Sequence, residues 1–257
     1  MQPSDAIVAA IREANEAGRP ALVAFLTAGF PRKEDFVAQL SAIAAAADVV
    51  EVGVPFSDPM ADGMTIQRSS RVALAQGVSL AWILETLRAM VERPAAPLLL
   101  MSYLNPLLAY GLDRLPAAAR AAGVAGFIVP DLPFEESHEL REALQGEGLA
   151  LVQMVTPVTP PERLATLCAS ARGFVYAVTM TGTTGKQVAV PDEVLSYMGR
   201  VREVSPVPVC AGFGIRSREQ VERMTGHVDG VVVGSALVEV LEQGADPAAY
   251  LRGLRGD

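Results

Sequence analysis

Three carboxylates, Glu51, Asp58 and Asp62, fall within one short stretch, Val49-Val50-Glu51-Val52-Gly53-Val54-Pro55-Phe56-Ser57-Asp58-Pro59-Met60-Ala61-Asp62-Gly63. Valines surround Glu51, so its carboxyl sits in what reads as a buried strand. A charge there is costly unless it is paired, protonated or used in chemistry. The strand gives way to a Pro/Gly/Asp-rich loop that carries the other two. A carboxyl at a strand end next to an acidic loop is the arrangement needed for general acid/base catalysis. Asp58 precedes Pro59, and ordinary turn chemistry accounts for it as well as a site role does.

The other reactive types narrow the options. Histidine occurs twice, at His138 and His227, too few to assemble a metal cluster, which argues against a zinc-dependent reaction. Lysine also occurs twice, at Lys33 and Lys186, both outside strands, where an imine-forming amine would not be desolvated. Carboxylate chemistry by Glu51 and Asp62 remains, with the Tyr176 hydroxyl near by. Two glycine-bearing stretches, Gly212-Phe213-Gly214 and Gly234-Ser235, follow apolar runs late in the chain. There the backbone can approach a phosphate at a helix N-terminus, or the glycines simply serve tight turns. Thr179 to Lys186 is rich in donors, with Gly182 and Gly185 as hinges. It could close over a ligand, Gly185 adding an N–H to the phosphate. Asp131, Tyr103 and Asn105 stand near strand ends and suit either turns or the site, the latter two by orienting Glu51. Phe25, Ile66, Leu100, Leu104 and Phe213 either pack or line an apolar pocket. Trp82, Cys168 and Cys210 read as core.

Those residues must be held by something, and the chain supplies a regular alternation. An amphipathic first helix over 4–17, with Ser4 as its N-cap and a lid-like position, precedes the first apolar run at 21–27. Further strands read at 49–54, 97–103, 126–130, 149–155, 173–178, 207–211 and 230–233. Helical spacing fills the gaps at 33–46, 65–76, 79–92, 113–122, 135–146, 160–170, 191–204 and 217–225, and again over 236–255. Near-continuous apolar strands mean burial on both faces, hence a parallel sheet. Eight strand–helix units in 257 residues predict a single-domain (β/α)₈ barrel with an extra N-terminal helix, spanning 1–257. An open doubly wound sheet is the competing architecture, but no GxGxxG follows the first strand. The barrel puts function at the C-terminal ends of the strands.

Composition agrees with an enzyme of small molecules. The formal net charge of −8 disfavours nucleic acid as the main partner. No apolar run has membrane-spanning length, the N-terminus lacks a signal-peptide pattern, and two distant cysteines suit the cytoplasm.

In order along nearly the whole chain, these motifs resemble the tryptophan synthase alpha subunit family. The likeness rests on Phe25-Leu26-Thr27-Ala28-Gly29, the run from Glu51 to Gly63 and Thr65-Ile66-Gln67. It continues through Tyr103-Leu104-Asn105-Pro106, Pro130-Asp131-Leu132-Pro133 with Glu135-Glu136, Gly182 to Gly185, Gly212-Phe213-Gly214 and Gly234-Ser235. The resemblance implies a lyase that cleaves indole-3-glycerol phosphate to indole and glyceraldehyde 3-phosphate in tryptophan biosynthesis. It implies Glu51 as the proton-transferring acid/base and Asp62 as the partner of the indole N–H. Tyr176, Phe213, Leu100 and Thr184 are then expected around the substrate, and Gly185, Gly214, Gly234 and Ser235 around its phosphate. No cofactor or metal is implied in this chain. A pyridoxal-phosphate-dependent beta subunit is the implied partner, in an α₂β₂ assembly that passes indole through a tunnel. Met64, Thr179 and Thr183 depart from the family's usual Pro, Ser and Val, which bears on loop closure and coupling to the partner. Another phosphate-binding barrel of the same pathway lacks the Glu51/Asp62 motif. A non-catalytic regulatory partner of a beta subunit would have no need of both carboxylates.

Overall fold

A computed structural model describes residues 2–179, 191–212 and 214–256. The strands are β1 (Ala21–Thr27), β2 (Val49–Gly53), β3 (Leu98–Met101), β4 (Val124–Ile128), β5 (Ala150–Leu151), β6 (Gln153–Val155), β7 (Val175–Val178), β8 (Val209–Gly212) and β9 (Gly230–Val233). The helices are α1 (Pro3–Glu16), α2 (Phe36–Ala44), α3 (Met64–Ala75), α4 (Leu80–Ala89), α5 (Leu104–Tyr110), α6 (Leu115–Ala121), α7 (His138–Gly146), α8 (Pro161–Ser170), α9 (Asp192–Val204), α10 (Arg218–Met224), α11 (Ser235–Glu242) and α12 (Pro247–Arg255).

All strand pairs are parallel, in the order β5-β4-β3-β2-β1-β9-β8-β7-β6. The two ends of that order, β5 and β6, are consecutive in the chain and separated by Val152 alone. They are the two halves of the expected fifth strand, one paired with β4 and the other with β7. The chain itself therefore joins the sheet's ends, and the architecture is the expected eight-unit barrel. No helix among the described residues is long and apolar enough to cross a membrane.

Side chains alternate across the sheet with a period of two. Leu22, Leu26, Val50, Val52, Leu98 and Leu100 face the helix layer, where they meet Phe36, Leu40, Ile43 and Leu87. Val23, Val49, Leu99, Phe174, Cys210 and Val232 face inward. Two inward glycines make room for aromatic rings. A Cβ on Gly53 would stand 2.5 Å from the Phe25 ring, and one on Gly212 would stand 2.6 Å from the Tyr176 ring.

Helix α1 buries Ile7, Ile11 and Ala14 in the inward cluster, so it plugs the N-terminal mouth, away from the catalytic end. Its cap is Gln2 rather than Ser4. Pro3 takes the first helical position, where its missing N–H costs nothing, and Ser4 is buried inside the first turn. The Gln2 N–H donates to Asp5 Oδ2 at 3.1 Å.

Two further differences concern helices. Helix α5 falls in a stretch where no helix is expected, and Pro106 lies in its first turn, where proline is tolerated. The expected helix over 236–255 is divided between α11 and α12. Gly244 turns left-handed at φ +69°, and Asp246 Oδ1 accepts from the N–H groups of Ala248 and Ala249 to start α12 afresh.

Candidate active site

Glu51 is central in β2, beside Phe25 of β1 and Leu99 of β3 in register. It is 1 % exposed, and among the described residues neither carboxylate oxygen has a hydrogen-bond partner. Burial without compensation pushes its pKa up to about 8, so at neutral pH it holds a proton it can give away. Tyr176 of β7 is the neighbouring hydroxyl. Burial, and then the charges of Glu51, Cys210 and Asp62, raise its pKa well above the phenolic value.

Asp62 stands at the end of the loop after β2, partly buried. Burial raises its pKa to about 6, against the lowering effect of a hydrogen bond from Tyr103. That loop is anchored at several points. The Tyr103 ring stacks on Phe56 at 5.2 Å, and its hydroxyl accepts from the Ala61 N–H at 2.9 Å. Gln67 Nε2 donates to the Asp62 carbonyl at 2.9 Å, tying the loop to the first turn of α3. Tyr103 thus serves Asp62 rather than orienting Glu51. Asp58 is exposed and accepts from its neighbour Ser57 Oγ at 2.5 Å, a turn contact. Asp131 Oδ1 accepts from the Leu104 N–H at 2.9 Å and so caps α5. Asn105 is exposed on that helix.

Leu100 is the clearest correction. It lies fully buried between the sheet and the helices, while its neighbour Met101 packs against the inward clusters containing Phe25, Ile66 and Tyr176. The lumen side of β3 is therefore Leu99 and Met101. A continuous apolar run hides strand parity; only pairing with Glu51 fixes it. Phe25 and Ile66 do join one apolar patch with Phe30 and Val238. Trp82 is half-buried on α4 against Phe36, with the Lys33 ammonium 4.8 Å from its ring centroid. Both cysteines are buried thiols.

At the same end of the barrel, Gly214 adopts φ +69° in the loop after β8, and Gly234, after β9, caps α11 with Ser235 as its first residue. The opening N–H groups of a helix have no partner within it and point outward, which suits an anion. Thr179 lies at that end too, its hydroxyl donating to the Gly212 carbonyl at 3.0 Å. Thr184, Gly185 and Phe213 lie outside the described residues. Among the described residues no three of His, Cys, Asp and Glu gather as a metal site.

Fold and site together define a parallel (β/α)₈ barrel. It carries a buried carboxyl within β2, a loop-borne carboxylate after that strand, and a glycine-capped helix N-terminus after β9. Residues 11–252 match the family model described as tryptophan synthase alpha chain. The tryptophan synthase alpha chain of Nitratidesulfovibrio vulgaris (strain DP4) is 46% identical over 243 residues, covering 94% of this chain and 95% of its own. That of Solidesulfovibrio magneticus (strain ATCC 700980 / DSM 13731 / RS-1) is 47% identical over 247 residues, 96% of each. Among solved structures, tryptophan synthase from M. tuberculosis in an open form superimposes with a TM-score of 0.88 at 34% identity, covering 98% of this chain and 97% of that one. The chain belongs to the tryptophan synthase alpha chain family.

Proposed function

We propose that this chain is the lyase of the alpha reaction in tryptophan biosynthesis, cleaving indole-3-glycerol phosphate to indole and glyceraldehyde 3-phosphate. Family membership supports the reaction, and the observation that carries the mechanism is the buried, unpartnered carboxyl of Glu51.

Breaking the carbon–carbon bond needs an electron sink, and the substrate's indole ring provides one once C3 is protonated. Glu51, neutral at pH 7 with its pKa raised to about 8, donates that proton. The positive charge spreads to the ring nitrogen, whose N–H faces the ionised Asp62. The Glu51 carboxylate then takes the hydroxyl proton of the adjoining glycerol carbon as the bond breaks. The bonding pair returns to the ring, and the carbonyl of glyceraldehyde 3-phosphate forms. One proton enters and one leaves, so Glu51 ends as it began. Tyr176, Met101, Phe213 and Thr184 surround the substrate, and Gly185, Gly214, Gly234 and Ser235 hold its phosphate. No cofactor is assigned to this chain, which works as one barrel domain.

The partner is a tryptophan synthase beta subunit, which supplies pyridoxal phosphate and receives the indole. Met60, Met64, Leu108 and Val158 are 92%, 82%, 51% and 77% exposed, and all follow the C-terminal ends of strands. Exposed apolar side chains at that mouth suit a docking face for the subunit that takes the product.

Indole release from indole-3-glycerol phosphate, measured with and without a beta subunit, tests the reaction. Glu51→Gln and Asp62→Asn are each expected to lower kcat by about 100-fold or more, since each removes a group acting in the transition state. Near-normal turnover by either variant contradicts the assignment.

A further inference from the structure

Outside the barrel, a two-rung polar ladder joins the helix that follows Asp62 to the helix that follows Gly234. Arg68 of α3 grips Glu242 of α11 with a two-point fork, Nε to Oε1 at 2.8 Å and Nη2 to Oε2 at 2.6 Å. One turn earlier on each helix, Thr65 Oγ1 donates to Glu239 Oε1 at 3.3 Å. Glu239 also receives a fork from Arg216, Nη1 to Oε2 at 2.7 Å and Nη2 to Oε1 at 3.0 Å. Arg216 lies two residues beyond Gly214, and its carbonyl is fixed by the Tyr250 hydroxyl at 3.0 Å. Beneath the ladder, Ile66 packs with Val238 and Phe25.

We infer that Arg68 and Glu242, with the Thr65–Glu239–Arg216 rung, are positioning residues that set the Asp62 loop against the phosphate end of the site.

The path lengths are short. Thr65 is three residues from Asp62, and the Gln67 side chain between the rungs holds the Asp62 carbonyl directly. Glu239 is one turn from Ser235. A shift of α3 along α11 therefore moves Asp62 relative to the Gly234-Ser235 N-terminus. Arg68 and Glu242 are 43% and 39% exposed, and an ion pair that open contributes little to stability. Its leverage is on geometry, because a displacement of about 1 Å at a reacting centre costs up to roughly 100-fold in rate.

The inference rests on the lyase reading. Its test is a cycle of Arg68→Ala, Glu242→Ala, the double variant and the exchange Arg68→Glu/Glu242→Arg, in the full chain with its beta subunit. For each single variant kcat falls about fivefold to tenfold while KM changes by less than about twofold, because the Asp62 contact and not the phosphate grip is misplaced. The double variant is no worse than either single, and the exchange recovers most of the loss. Unchanged kcat in both single variants, or additive losses without recovery on exchange, overturns the inference, as does a fall in Tm with kcat intact. A wild-type chain that releases no indole sinks the lyase reading instead. Amide exchange across residues 59–67 then decides the ladder alone: acceleration by about threefold or more in Arg68→Ala supports it, and unchanged exchange overturns it.

Discussion

A carboxyl sealed inside a strand with both oxygens unpartnered is held neutral by its surroundings. The pKa values of Glu51, about 8, and Asp62, about 6, are pushed apart from nearly equal starting points by different degrees of burial. The proposed roles need Glu51 protonated and Asp62 ionised, so kcat/KM should be bell-shaped, falling below about pH 6 and above about pH 8. The same shift carries a stability cost whose sign is fixed. Glu51 has a folded pKa above its unfolded value, so below about pH 4.5 both states are neutral and nothing is lost. As pH rises toward 8 the unfolded chain gives up the proton while the folded chain keeps it, and stability declines. Glu51→Gln should therefore be more stable than wild type by a few kcal/mol at pH 8 to 9, and near equal at pH 5, in urea denaturation. Equal stability at high pH would mean that Glu51 is compensated after all. A lone acid among valines is visible in a sequence; its missing partners are not. Leu100 shows the converse, because nothing in Leu98-Leu99-Leu100-Met101 says which residues face inward.

The Asp62 loop owes its shape to α5 and α3 as much as to its own residues. Tyr103, just before α5, takes the Ala61 N–H and stacks on Phe56, while Gln67 of α3 holds the Asp62 carbonyl. The Tyr103 hydrogen bond lowers the Asp62 pKa. Tyr103→Phe should raise it and move the acid limb of kcat/KM upward by up to about one pH unit, with the basic limb unmoved. An unshifted acid limb would assign that limb to another group. Much of the element order could be read in advance because hydrophobic periodicity changes sharply between strand and helix. Element ends were harder to place. Helix α1 starts at Pro3 with Gln2 as its cap rather than at Ser4, and α5 carries Pro106 in its first turn, because proline's missing N–H is free of cost there. Asp131 suits a turn or the site equally in sequence, because capping and catalysis both ask for a carboxylate after a strand; the Leu104 contact distinguishes them.

Across the whole molecule, the two barrel ends divide labour. At the N-terminal end Asp48 accepts from Arg19 at 2.7 and 2.8 Å, from the Leu22 N–H at 2.7 Å and from Arg255 at 3.4 Å, joining β1, β2 and the last helix. Asp229 does likewise for β8, accepting from the Val209 N–H at 2.7 Å and from Arg202 at 2.9 Å. Asp48→Asn should cost about 2 kcal/mol or more of stability while leaving kcat within about twofold, since it sits far from the mouth. A selective loss of kcat would contradict that division. The barrel itself was legible because its eight apolar strands recur with helices between them. The break at Val152, which divides the fifth strand between two neighbours, was not, because it depends on pairing rather than on local sequence. The central claim is that the barrel keeps Glu51 neutral so that it can protonate indole. Infrared difference titration of wild type against Glu51→Gln, run beside the pH profile of indole release, tests it most directly. The account predicts a protonated carboxyl signal that disappears with a midpoint near pH 8, coincident with the basic limb of kcat/KM. A Glu51 that is already ionised at pH 6, or a basic limb that persists unchanged while the carboxyl titrates elsewhere, would contradict it.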